Sequence, residues 1–186
     1  MSDINKQQGF TLIEILLAIT ISVILFMILA SSYDLSQKIY NQTDTKAEIT
    51  QNGRVILDRL IREFRQTPDI VTQLGESYTD ASHEIIFQDG HDISIINYIR
   101  YFLDGNNLDR QDVYYFFPED PSTHVLWNAK NQDGSFPQLT SSTPRVIGEY
   151  VDDIEFWGKR LININLYLSK SSGSEILNTA VYGRNL

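Results

Sequence analysis

The sequence predicts an α+β fold, with one long N-terminal α-helix packed on an antiparallel β-sheet head. Three observations point there. Between Phe10 and Gln66 a single helix breaker occurs, Gly53. The front of that stretch is uniformly apolar, and the rear is amphipathic at helical spacing. Beyond Pro68 the apolar period drops to two, with Gly, Asn and Asp clusters between the alternating runs.

The helix is expected over residues 10–66, about 57 residues. Pro68 disfavours helical geometry at Thr67 and ends it. Its front half, 10–33, contains Ile15 to Ala30 without a charge, Gly or Pro. About 24 apolar residues are enough to span a bilayer. One acid, Glu14, lies in the first turns. A carboxylate inside a membrane segment is a functional-site hypothesis by default; at the headgroup boundary it is merely solvated. The rear half, 34–67, carries Ile49, Gly53, Ile56, Leu57, Leu60, Ile61 and Phe64 on one stripe. Arg54, Asp58, Arg59, Arg62 and Glu63 are placed opposite, with Arg54–Asp58, Asp58–Arg62 and Arg59–Glu63 as i, i+4 pairs. Gly53 on the apolar stripe implies close approach of helix and sheet, or else a mild kink.

Residues 68–186 read as a mainly β head. Glu84 to Gln88 is a strand, Asp89-Gly90 a hairpin turn, and Ile93 to Leu103 a long apolar strand. Asp104-Gly105-Asn106-Asn107 is the next turn, answered by Leu108 to Phe117. Pro118 to Pro144 reads as a long excursion with at most a short strand at His124 to Trp127. The chain returns through Val146 to Tyr150 and a strand at Asp153 to Trp157. Leu161 to Ser169 alternates, with Ile162, Ile164, Leu166 and Leu168 on one face. Lys170 to Ser174 turns into a last strand, Glu175 to Tyr182. About 120 residues suffice for a core without disulfides or metals.

The net charge of −9 and the absence of any Lys/Arg cluster argue against nucleic-acid binding and against docking on anionic lipid. There is no Cys, hence no thiol nucleophile and no disulfide framework. His83, His91 and His124 show no metal-ligand spacing. No G-x-S-x-G, phosphate loop or dinucleotide fingerprint occurs. No cofactor and no enzymatic activity are expected. Asp104, Asn106, Asn107, Asp109 and Asp112 crowd oxygen ligands that suit Ca²⁺, yet lack the EF-hand Gly and terminal Glu; a hairpin turn is the plainer reading. Asp152, Asp153 and Glu155 read as a solvated edge that discourages sheet-to-sheet pairing. Tyr114 to Phe117, with Trp127 and Trp157, are assigned mostly to the core, with a partner-facing patch as the alternative.

Gly9-Phe10-Thr11-Leu12-Ile13-Glu14, preceded by Lys6 and followed at once by the apolar helix, resembles the class III signal of type IV prepilins and pseudopilins. The resemblance covers about the first 30 residues. It implies a leader, 1–9, cut between Gly9 and Phe10 by prepilin peptidase, and N-methylation of Phe10 by the same enzyme. Glu14 would serve subunit assembly, paired with the N-terminal amine of a neighbouring subunit. It also implies partners: other pilins or pseudopilins along the helix, and the pilus assembly platform. The location implied is the cytoplasmic (inner) membrane, single-pass, with the N-terminus cytoplasmic and the head outside. A looser resemblance to the PilW and GspJ type of minor pilin rests on Gln51 to Leu60, Tyr101-Phe102-Leu103 to Leu108-Asp109-Arg110, Val151 to Phe156, and Tyr182-Gly183-Arg184-Asn185. Two departures stand out. Many minor pilins carry a disulfide near the C-terminus, and pilins often place a helix breaker in the membrane half. The expected role is a structural subunit of a type IV pilus or type II secretion pseudopilus, in assembly initiation or at the tip. The alternative is a membrane-anchored surface-binding module that does not polymerise.

Overall fold

The computed structural model describes residues 11–91, 95–171 and 173–183. The chain divides into two compact units, Met1–Asp44 and Thr45–Leu186. A continuous helix, α1 (Leu12–Phe64), runs through both. Among the described residues nine strands follow: β1 (Ile85–Gln88), β2 (Tyr98–Asp104), β3 (Asn107–Phe117), β4 (Asp120–Val125), β5 (Gln138–Ser141), β6 (Arg145–Glu149), β7 (Val151–Trp157), β8 (Leu161–Lys170) and β9 (Gly173–Tyr182). All pairings are antiparallel. The α+β expectation holds.

In the first unit the described residues, Thr11 to Asp44, are exposed throughout. In the second, the rear of α1 buries Ile49, Gly53, Ile56, Leu57, Leu60 and Phe64, as the helical spacing predicts. The helix ends as Pro68 requires: the Gln66 and Thr67 amides turn back to the carbonyls of Glu63 and Phe64 at 3.2 Å. The buried Thr67 hydroxyl then donates to Gln88 O at 2.7 Å, tying the helix end to β1.

The head holds two sheets. In the larger, β3 is the axis: one edge takes β2 and then β4, the other takes β6 and then β5. β1 extends this sheet beyond β2. The smaller is β7-β8-β9. One core joins α1 to both sheets, with Ile56, Leu60 and Phe64 among Phe87, Tyr101 and Leu108 and among Ile154, Phe156, Ile164 and Leu166. Each fully buried Ile, Leu or Phe contributes roughly 1.5–3 kcal/mol. A small second cluster, Tyr98, Val113 and Tyr115, lies on the outer face of the larger sheet under Val71 and Trp127. Close helix-to-sheet approach at Gly53 is realised: a Cβ there would sit 2.5 Å from Leu177 Cδ1 and 2.7 Å from Leu168 Cδ1.

Several expectations are corrected. The stretch 118–144 is not one excursion, since β4 and β5 both pair with β3. Asp89-Gly90 is not a two-residue turn, because β1 and β2 are joined from Gln88 to Tyr98. The strand predicted from Ile93 starts only at Tyr98; residues 92–94 lie outside the described residues. The turn at Gly105-Asn106 stands as expected. Gly105 has φ 61° at its first central position, which favours Gly.

Candidate functional site: the N-terminal helix and the acidic groups of the head

Gly9 and Phe10 lie outside the described residues, so the site begins at Thr11. Thr11 and Glu14 form a capping box. The Thr11 amide and hydroxyl donate to Glu14 Oε2 at 2.8 and 2.9 Å, and the Glu14 amide reaches Thr11 Oγ1 at 3.4 Å. The carboxylate therefore satisfies orphan donors at the start of its own helix. The spacing Thr-x-x-Glu ahead of an apolar run is a sequence signal for this arrangement, and the reading of Glu14 as an intramembrane acid passed over it.

Beyond the cap, the helix surface is built for an apolar surrounding. Leu12, Ile13, Leu16, Leu17, Phe26, Met27 and Leu29 are each 60% or more exposed. Three hydroxyls of this stretch turn back on the helix. Thr20 donates to Leu16 O and Ser22 to Ala18 O at 2.8 Å, and Ser31 to Met27 O at 2.9 Å. No hydroxyl among them is left to be satisfied by water, as a hydrocarbon environment demands. The helix is long and apolar enough to cross a membrane.

In the head, the structure builds a charged network that the spacing had placed in solvent. Glu63 is buried, not opposite the apolar stripe. It accepts from Tyr101 Oη at 2.7 Å and from Arg110 Nε at 3.0 and 3.2 Å, with Arg59 Nε at 3.4 Å. Arg110 Nη1 donates to Asp112 Oδ1 at 2.6 Å, and Arg145 Nη2 to Asp112 Oδ2 at 3.1 Å. Burial, the Glu63 charge and the bond to Glu63 all push the Tyr101 phenol well above its ordinary range. Burial alone would lower Arg110, but its bonds to Glu63 and Asp112 outweigh that and raise it. Bonded to one another across α1 and β2–β3, these groups form a staple between helix and sheet. Of the three i, i+4 pairs expected on α1, Arg59–Glu63 is the one that closes within 4.0 Å among the described residues.

The Ca²⁺ reading of the β2–β3 hairpin finds no ligand set. Asp104 and Asp109 share one face of the hairpin, while Asp112 faces the other and is held by two arginines. Among the described residues no group of three or more His, Cys, Asp or Glu comes together. Each histidine has a local partner: His83 with Asp153 at 2.8 Å, His91 with Asp89 at 2.9 Å, and His124 with Asn97 at 2.7 Å.

Asp152 to Glu155 is not a uniformly solvated edge. Asp152 is exposed, but Glu155 is buried and accepts from Tyr167 Oη at 2.8 Å and Asn165 Nδ2 at 3.2 Å. Of Tyr114 to Phe117, only Tyr115 is core; the other three are half-buried. Trp127 binds Asp69 Oδ2 through Nε1 at 2.8 Å, and Trp157 meets Tyr78 edge-on at 5.5 Å.

No curated protein and no solved structure matches the chain. Residues 4–30 match the family model of the prokaryotic N-terminal methylation motif, the type IV pilin signal. The chain thus carries a type IV pilin-like precursor signal that overlaps the start of a helix long and apolar enough to span a membrane.

Proposed function

We propose that the chain is a type IV minor pilin or pseudopilin, a non-enzymatic structural subunit that packs into a pilus or pseudopilus, of the PilW/GspJ type. The observation that carries this reading is the methylation motif at residues 4–30 running into a helix whose front part, Leu12 to Asp44, keeps every residue exposed. In this reading the leader is 1–9, the membrane and filament-packing helix 10–33, its amphipathic continuation 34–67, and the head 68–186. Prepilin peptidase cuts after Gly9 and methylates Phe10. The cut chain sits in the inner membrane, N-terminus cytoplasmic and head outside, and is drawn by the assembly platform into contact with other pilins.

Glu14 acts in assembly. Both bonds from Thr11 go to Oε2. A carboxylate offers about four acceptor sites on two oxygens, so Oε1 can take the N-terminal amine of a neighbour while the cap persists. In a low-dielectric setting that pairing is strongly favoured over an unpaired charge.

Mass spectrometry of the protein from its native membrane tests the reading, and the expected N-terminus is methylated Phe10. An intact Met1 overturns it in favour of a plain membrane-anchored binding module. Gly9→Val keeps the leader attached. Glu14→Ala is cleaved normally but falls at least tenfold in sheared filaments; wild-type amounts there would remove the assembly role.

A further inference from the structure

The outer edge of β9 is bare in a way the other long core-sheet edges are not. β1 is covered by the segment before it, through Val71 N to Ile86 O and Gln88 N to Asp69 O, both 2.9 Å. β7 is bridged by Ser82, whose amide and carbonyl pair with Phe156 at 2.9 and 2.8 Å, and by Gly75. β4 is short and broken by Pro121. β9 runs ten residues in unbroken register with β8. Among the described residues nothing pairs with its other side.

The open donors can be named. The hairpin closes at Lys170↔Gly173, and the Ser169 amide bonds to the carbonyl of Tyr150, the residue before β7, at 2.9 Å, so it points away from β9. Alternation along an antiparallel ladder then turns the amides and carbonyls of Ser174, Ile176, Asn178, Ala180 and Tyr182 outward. Edges are normally blunted by Lys, Pro, bulges or brevity. Ile176 to Tyr182 has no charge, Pro or Gly, which is the signature of a pairing segment.

Charge says what pairs there. A groove runs between the end of α1 and the last residues of β9, lined by Arg62, Arg65, Gln66, Gly90, Val181 and Tyr182 among others. Arg62 and Arg65 are exposed and make no ion pair among the described residues. One carboxylate, Asp58, shares the rim. A cationic rim along an open edge is unusual on a chain of net charge −9.

We propose that the free edge of β9 accepts an extended, acid-bearing segment of another protein by strand addition. Its backbone would bond Ser174 through Tyr182, and its carboxylates would face Arg62 and Arg65. Main-chain bonds supply affinity in this mode, and alternate side chains supply specificity.

The test uses the full chain in detergent and fluorescein-labelled octapeptides, read by fluorescence anisotropy. The peptides alternate Val with Asp or Val with Lys; a third is the Asp peptide N-methylated at every other residue. The Asp peptide should bind at least tenfold more tightly than the Lys peptide, and N-methylation should abolish binding without any change to the protein. Arg62→Glu with Arg65→Glu should reverse the preference. Asn178→Pro removes an outward amide but no β8 bond, and should weaken binding at least tenfold with an unchanged thermal midpoint. Absence of binding, equal binding of both charges, or binding that tolerates N-methylation overturns the proposal. So does self-association through this edge that Asn178→Pro abolishes, which would make a second copy the occupant.

Discussion

Glu63 ties α1 to the larger sheet through Tyr101 and Arg110. It lies at i+7 from Ile56 and i+3 from Leu60, on the apolar stripe itself, so its position was available from the sequence; the i, i+4 pairing with Arg59 drew attention to the wrong face. Its side chain and that of Arg110 are only 10% and 9% exposed. Removing one member of a buried pair leaves the other charge uncompensated, at about 3–5 kcal/mol. Glu63→Ala is therefore expected to lower unfolding stability by about 3 kcal/mol or more. Arg145→Ala, at a side chain 65% exposed, should change it by less than about 1 kcal/mol. Urea denaturation of both variants checks the contrast. Asp109 makes the opposite case. It is buried, and its Oδ1 has no partner. Burial, with Asp104 on the same face, raises its carboxyl above the ordinary 3.8. The folded state then holds the proton more tightly than the unfolded state. Stability from this group is full below the unfolded pKa and is lost as pH rises through the folded one. Asp109→Asn should accordingly stabilise the protein at pH 7, by about 1 kcal/mol, and the gain should vanish near pH 3. A gain that persists unchanged at pH 3 would contradict the assignment.

At the scale of elements, legibility followed burial. β8 was readable because Ile162, Ile164, Leu166 and Leu168 are all buried and Asn163, Asn165 and Tyr167 are not. β4 and β5, Asp-Pro-Ser-Thr-His-Val and Gln-Leu-Thr-Ser, have no fully buried residue. Their strand geometry comes from bonds to β3, a partner the local sequence does not encode. The split into two sheets was equally hidden, since each strand's pattern reports which face is buried and not which neighbour lies alongside. The helix was the reverse case, with periodicity and Pro68 marking its face and its end. Gly53 tests that packing. Helix propensity favours Ala over Gly by about 1 kcal/mol, but the added Cβ must displace two leucine methyl groups. Gly53→Ala should be near neutral, with Leu177 yielding. Gly53→Val adds volume that these leucines cannot absorb and should cost about 1–3 kcal/mol. Thermal unfolding of the pair separates close packing from a kink, which would tolerate both.

For the whole molecule, the two units differ in what holds them. Every described residue from Thr11 to Asp44 is exposed, so that stretch contributes nothing to the core. The front helix is designed for a surrounding that supplies the apolar contact, whether lipid or other helices, and the sequence declared it openly as an uninterrupted run. The core of the second unit begins at Ile49 and ends at Val181. Near the start of this unit Lys46 bonds to Glu175 at 2.6 Å, with Lys170 closing on Glu48 beside it. Among the described residues the hydrophobic core of the head thus lies within Thr45–Leu186. A chain beginning at Thr45 should be soluble without detergent and should unfold in one cooperative transition. Among the described residues it loses only exposed ones, so its midpoint should fall within about 4 °C of the full chain in detergent, corresponding to roughly 1 kcal/mol for a domain of this size. Circular dichroism during heating measures both. Removing four more residues takes Glu48 and Lys46 and bares Ile49; the midpoint should then drop clearly. A large loss already at the Thr45 start would mean that the membrane half of α1 stabilises the head, contrary to its exposure.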